Sequence, residues 1–427
     1  MTIRRKYLFI VAGLALGLAV VLFLKPWHSG FNDSEVKKVE EAVNRRPRAD
    51  EKACVILPLD GTSREGPGTA LLLEALSPDG PHKSCYDLQD RLSDLSELSP
   101  PATTLSEEGR TVWERYWQAS DSQTEVEVRQ RCDDLVRSVA KAGSYDEVCA
   151  PFSLDYMEYV QSVFSVERAA PLLLRSLMRE GNVLEAAKLS LSLLHAKQRL
   201  GHHRATSVTA LVAFSRSSVL SFLTEIVVSE RLTEGEREVV QSQLLRLLKS
   251  IPSPSDHAAA EEAVMLAEQT TADCDTECRS AQFVLVAMRD TREVCRGLDY
   301  LACSNAWKTW ADQLTEDVLP SSLPSIEDKT LRERLLNDVR GLARLRSQYT
   351  LKISQYYAAL VALEMALRPQ GQNCAQAVDN QLGVSLVLEK KDGWVSVALP
   401  QELQIRSTKP SAGASHLLSF RCAEVAQ

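Results

Sequence analysis

The chain has 427 residues and a formal net charge of −8, with 57 acidic against 49 basic side chains. An acidic surface repels nucleic acid and anionic lipid headgroups, so neither is expected as the main partner. The length exceeds what one hydrophobic core usually organises, which predicts two or more packed units.

In chain order, the first feature is Tyr7 to Leu24, an uncharged apolar run directly behind Arg4, Arg5 and Lys6. Eighteen residues at helical rise span about 27 Å, enough for a bilayer core. A basic flank stays on the cytoplasmic side, so residues 1–6 are expected inside and everything after Lys25 outside. The rival reading is a cleaved signal peptide, but Ala15-Leu16-Gly17 falls too early and the run continues through Val20, Val21, Leu22, Phe23 and Leu24. A lipoprotein is excluded because the first cysteine is Cys54. An uncleaved single-pass anchor is the reading adopted, with the bulk of the chain in an oxidising compartment where cysteines pair. A bacterial inner-membrane protein facing the periplasm fits this description.

Residues 25–53 are charged and include Arg45-Arg46-Pro47-Arg48, the composition of a stalk or linker. From 54 to 101 the chain is turn-rich: a strand-like Cys54 to Leu59 leads through Gly61, Gly66, Pro67 and Gly68 into a helix-like Thr69 to Leu76. Gly61 to Thr69 must be weighed as a phosphate loop. It fails, because Gly68 stands where that motif needs lysine. Ser34 and Lys37 have the spacing of the serine and lysine of penicillin-recognising enzymes, but they lie too near the anchor and no Ser-Asp-Asn or Lys-Thr-Gly follows.

From 102 to 368 apolar residues recur at three- and four-residue steps, and breaks fall at Gly143, Pro151, Gly181, Gly201, Pro252, Gly297, Pro320 and Pro324. This predicts a mainly α protein built as an antiparallel array or bundle of helices. Arg179 to Leu200 has the feel of a tetratricopeptide helix pair, without a fixed repeat period. The last helix is predicted from Glu327 to Arg368, where Leu335, Val339, Leu342, Arg346, Tyr349, Ile353, Tyr356, Leu360, Leu363 and Leu367 form a seam at alternating steps of four and three. That seam is expected to pack on the chain's own helices rather than on a second copy. After Pro369 a small β module is expected: Val384 to Glu389 and Trp394 to Leu399 read as strands around Lys391-Asp392-Gly393, with Leu403 to Ser407 and His416 to Arg421 as further strands.

Two clusters carry residue types that can ligate a metal ion. His195 and His202 would lie about 10.5 Å apart along one helix, too far to share an ion with His203. Asp273-Cys274-Asp275 resembles the Asp-x-Asp of metal-dependent glycosyltransferases, whose folds need parallel strands that the middle of this chain lacks. No catalytic, metal or cofactor motif emerges.

The cysteines are read as sequential pairs: Cys54 with Cys85, Cys132 with Cys149, Cys274 with Cys278, and Cys374 with Cys422 closing the β module. Cys295 to Ala306 (Cys-Arg-Gly-Leu-Asp-Tyr-Leu-Ala-Cys-Ser-Asn-Ala) resembles the corner of cysteine-rich α/α-repeat proteins, relatives of tetratricopeptide repeats. The resemblance covers a dozen residues; it implies a Cys295–Cys303 bridge between successive helices, extracytoplasmic helix-pair packing and protein binding. The rival bridge, Cys278 with Cys295, would span about 25 Å if residues 279–296 are one helix, against a limit of about 7 Å. A helix start at Asp290 with Glu293 would reopen it.

Two functions remain. One is a membrane-anchored interaction or assembly module whose partners are other envelope proteins, its oligomeric state open. The other is an anchored enzyme acting on cell-wall or glycan material through two carboxylates, which need no linear motif.

Overall fold

In the computed structural model the described residues are 33–44, 67–77, 79–80, 82–88, 113, 116, 123–145, 156–200, 218–251, 253–255, 282–284, 286, 291–315, 329–368, 386–391, 394–398 and 416–421. The fold is mainly helical. Its helices are α1 (Asp33–Asn44), α2 (Pro67–Leu76), α3 (Lys83–Tyr86), α4 (Gln123–Gly143), α5 (Tyr156–Arg179), α6 (Val183–Leu200), α7 (Ser218–Val228), α8 (Glu234–Lys249), α9 (Thr291–Cys295), α10 (Tyr300–Gln313) and α11 (Lys329–Leu367). A three-stranded antiparallel sheet follows, in the order β1 (Val387–Lys391), β2 (Trp394–Ala398), β3 (His416–Arg421).

Local chemistry sets the helix ends. Gly181, at φ +79°, closes α5. There the Asn182 N–H donates to the Leu177 carbonyl at 2.8 Å and the Gly181 N–H to Met178 at 3.2 Å, the paired bonds of a Schellman cap. Gly297, at φ +69°, turns the chain after α9, where the Leu298 N–H donates to the Cys295 carbonyl at 3.1 Å, and Asp299 caps α10 by accepting from the Ala302 N–H at 2.7 Å. Helix α8 opens with a complete capping box, Thr233 with Glu236.

Helices α2, α4, α5, α6, α7 and α8 share one large core with the second half of α11 and with the sheet. Trp113 and Tyr116 stack edge-on against Phe222 there. A second cluster gathers Trp307, Trp310 and Leu314 of the α10 region, Leu335, Leu336 and Val339 of α11, and Val39 of α1. Helix α11, 39 residues and about 58 Å long, joins the two cores. Nine of its ten predicted seam residues are buried, Leu342 being half-buried. They pack on helices of this same chain. The interruption at Arg346 is absorbed by Trp307, whose ring centroid lies 5.1 Å from the guanidinium carbon.

The sheet register pairs Lys391 with Trp394, so β1 and β2 are antiparallel neighbours on either side of the turn signal read from Lys391-Asp392-Gly393, whose last two residues lie outside the described residues. The first strand runs Val387–Lys391, displaced toward the turn from the expected Val384 to Glu389, and the second ends at Ala398. The proposed strand Leu403 to Ser407 lies outside the described residues. Val395 faces Phe420 and Val397 faces Leu418, all four buried, so the sheet lays one face on the main core rather than forming a core of its own.

Three expectations are corrected. The stretch read as a stalk contains α1, whose Val39 is 3% exposed within the second core. Cys85 is bonded to Cys132, with Cα atoms 4.8 Å apart, so neither Cys54–Cys85 nor Cys132–Cys149 exists. The bridge is long-range because α2 and α3 pack against α4; the turn-rich section is stapled to the helical array instead of to itself. The Cys295–Cys303 bridge is present, with Cα atoms 4.9 Å apart, and excludes the Cys278–Cys295 rival. Cys54, Cys149, Cys274, Cys278, Cys374 and Cys422 lie outside the described residues. So do residues 7–24, the proposed anchor; no described helix is long and apolar enough to cross a membrane.

Candidate functional site

Four elements converge on a cleft of about 300 Å³: the end of α7, the start of α8, the last turn of α11 and strand β3. Its apolar lining comes from Val227, Leu232, Met365, Leu367 and Phe420, and its charges are Glu230, Glu234, Glu238, Arg237, Arg368 and Arg421. The capping box fixes where α8 begins, and therefore which side of that helix faces the cleft. Glu230 takes a left-handed conformation at φ 55°, which turns the chain from α7 toward α8.

The arginines are held by the protein itself. Arg237 donates to the Ala366 carbonyl in the last turn of α11, where carbonyls lack helical donors. Burial lowers its pKa from the usual value, and the Glu230 charge opposes that shift. Arg368 bridges to Glu364 at 2.9 Å, and Glu364 also accepts from the Gln241 amide at 3.0 Å, tying α8 to α11. The Arg421 guanidinium lies 5.5 Å from the centre of the Trp394 ring. Glu234 and Glu238 are exposed, one helical turn apart on α8. The described lining holds no serine, cysteine or histidine; it offers carboxylates, guanidinium groups and apolar side chains.

A second polar site sits at the end of α6. The His195 Nδ1 meets the carbonyl of Gly143, the last residue of α4, and Gln198 donates to the Ser250 carbonyl at 2.9 Å, capping the end of α8. His195 is thus a tether between helix ends; His202 and His203 lie outside the described residues. Gly143 admits this approach because a Cβ there would come 2.2 Å from the Ser192 carbonyl oxygen. Nearby, Lys197 pairs with Glu167, and burial pushes the Lys197 pKa down to about 7. A further buried pair, Arg175 with Glu125, lies against the Tyr116 ring, 5.0 Å from its centre. Burial raises the Tyr116 pKa above its ordinary value.

Of the other residues weighed from sequence, Gly68 is a close-approach glycine: its Cβ would meet Tyr145 Cβ at 2.7 Å. Ser34 and Lys37 are exposed on α1, and Asp273-Cys274-Asp275 lies outside the described residues. Among the described residues no group of three or more His, Cys, Asp or Glu could hold a metal ion. The cleft itself was missed by sequence reasoning; the Thr233-x-x-Glu236 box and the Glu234/Glu238 spacing were its legible parts. The chain matches no protein-family model, and comparison with curated proteins and with solved structures finds no match.

Proposed function

We propose that this chain is a membrane-anchored interaction or assembly module of the cell envelope, held by residues 7–24 with its helical body outside the cytoplasm. The observation that carries the location is the pairing of buried cysteines downstream of a basic-flanked apolar segment: Cys85 with Cys132 and Cys295 with Cys303. A thiol-reducing compartment would keep such cysteines apart. The binding role rests on α8, a helix with Val240, Leu244 and Leu247 inward, Val239 40% exposed, and a cleft at its first turn. The Cys295–Cys303 corner adds support, since its resemblance to α/α-repeat proteins points to protein binding.

The test has two arms. A reporter active only outside the cytoplasm, fused after Gln427, is expected to be active, and a soluble, N-terminally trimmed main species would refute the anchor. A photo-crosslinking residue at Val239 or Ser242, on the outer side of α8, is expected to capture a discrete envelope protein in intact cells. Crosslinking no stronger than from an exposed site on α10, such as Lys308, would refute the binding surface.

A further inference from the structure

We infer that the cleft between α8, α11 and β3 takes a lysine or arginine side chain presented by the partner protein; this rests on the interaction reading above and names the chemistry of what docks. Charge alone does not decide the sign, since three arginines and three glutamates line the cleft. Their engagement does. Arg237 spends its guanidinium on the Ala366 carbonyl beside Glu230, Arg368 on Glu364, and Arg421 stacks on Trp394. Glu234 and Glu238 stand exposed at the rim, and neither forms an ion pair with another described residue.

The backbone adds to the same sign. Helices α7 and α11 both end at the cleft, at Val228 and Leu367, and a helix C-terminus carries partial negative charge. The start of α8 contributes the opposite partial charge, one helix N-terminus against two C-termini, and its Glu236 N–H is already taken by the Thr233 side chain. Below the rim the surface is apolar, formed by Leu232, Met365 and Phe420. A long basic side chain matches that order from bottom to top: a methylene stem on the floor, a charged head between the two carboxylates. A volume of about 300 Å³ is at the lower end for binding pockets, too small for a folded element and ample for one or two side chains.

The probe is a set of capped pentapeptides, acetyl-Ala-Leu-X-Leu-Ala-amide, titrated by NMR into the full chain in detergent micelles, with X as arginine, norleucine or glutamate. The arginine peptide is expected to bind at least tenfold tighter than the norleucine peptide at low salt, and to weaken as ionic strength rises. Glu234→Gln with Glu238→Gln is expected to reduce arginine binding to the norleucine level. Both carboxylates are exposed, so the thermal midpoint of that variant checks that folding is intact. Preference for glutamate would make this an anion site, equal binding of arginine and norleucine would make it a merely apolar groove, and no binding of any peptide would remove the site; each overturns the inference. If α8 still crosslinks an envelope partner in the double variant with undiminished yield, the interaction reading stands and the basic-residue reading falls.

Discussion

Helix α11 runs through two environments, and the contrast between its halves shows what a hydrophobic seam can and cannot specify. In the first half, Leu335, Val339 and Ala343 face α10 and the second core while Glu333, Asn337, Gly341 and Arg344 face solvent. That is an ordinary amphipathic helix. From Tyr356 to Leu367 nearly every position is buried, including Ala358, Val361, Ala362, Met365 and Ala366 that the seam leaves out. Here α7, α8 and β3 surround the helix. The seam marks one side of α11; the second half has no solvent side of that kind.

The largest effect that sharpens this contrast is a charge placed on each half. Leu360→Asp puts a carboxylate where the side chain is 0% exposed and is expected to cost more than about 4 kcal/mol, enough to abolish cooperative unfolding of the monomer. Leu342→Asp, at a half-buried position, is expected to cost about 1 kcal/mol. Thermal unfolding followed by circular dichroism reads both. A Leu360→Asp protein that stays folded and merely passes from dimer to monomer would mean that the seam joins two copies.

Features that depend on residues close in sequence were legible, and those made by distant packing were not. Long period-3.5 spacing gave α11, glycines gave the turns at 181 and 297, and the resemblance of Cys295 to Ala306 to a repeat corner implied the bridge from Cys295 to Cys303. The partner of Cys85 is 47 residues away, and proximity follows only after α3 has settled on α4. Sequential pairing is the wrong guess wherever helices meet before neighbours do. Helix α1 escaped for a related reason: its composition is polar, and the few apolar residues that anchor it, Val39 with Val36 and Ala42, pack on a core assembled from residues about 250 to 300 positions downstream. The cleft combines four elements, of which only α8 carries a local motif, its capping box.

The two disulfides extend the comparison between cores. Replacing Cys85 and Cys132 by alanine releases a long loop beside the main core and is expected to cost about 4 kcal/mol; the same change at Cys295 and Cys303, beside the second core, about 2.5 kcal/mol. Chemical denaturation of the two double variants measures the difference. Equal losses would show that loop length is not what separates the two regions.

A smaller contrast is electrostatic. Lys197, buried behind the main core with its pKa pushed down to about 7, binds its proton less readily than in the unfolded chain. The unfolded state therefore holds more protons between about pH 7 and the ordinary lysine range near 10.5, and stability from this group rises with pH across that window. Against Lys197→Met with Glu167→Gln, the native protein is expected to gain thermal stability from pH 7 to 9, and parallel curves would refute the assignment.

The smallest effect lies at the start of α8, which packs on the second half of α11. The Thr233 side chain accepts from the Glu236 N–H, and the Glu236 carboxylate accepts from the Thr233 N–H at 2.8 Å. Thr233→Ala removes the cap and is expected to cost about 1 kcal/mol, seen as a lower denaturation midpoint without a change in slope. These bonds hold the Glu236 pKa below its ordinary value, with the Thr233 backbone bond as the larger cause. A depressed carboxylate pKa means that this stabilisation is complete above the unfolded value near 4.5 and is lost as pH falls through the folded one. The native protein and Glu236→Ala are therefore expected to differ at pH 6 and to converge toward pH 3, whereas Thr233→Ala, which keeps the backbone N–H bond to Glu236, retains most of that pH dependence. The same substitution loosens the turn that presents Glu234 and Glu238, so arginine-peptide binding should weaken with it, whereas a cap change that left binding untouched would separate the cleft from the helix start that shapes it.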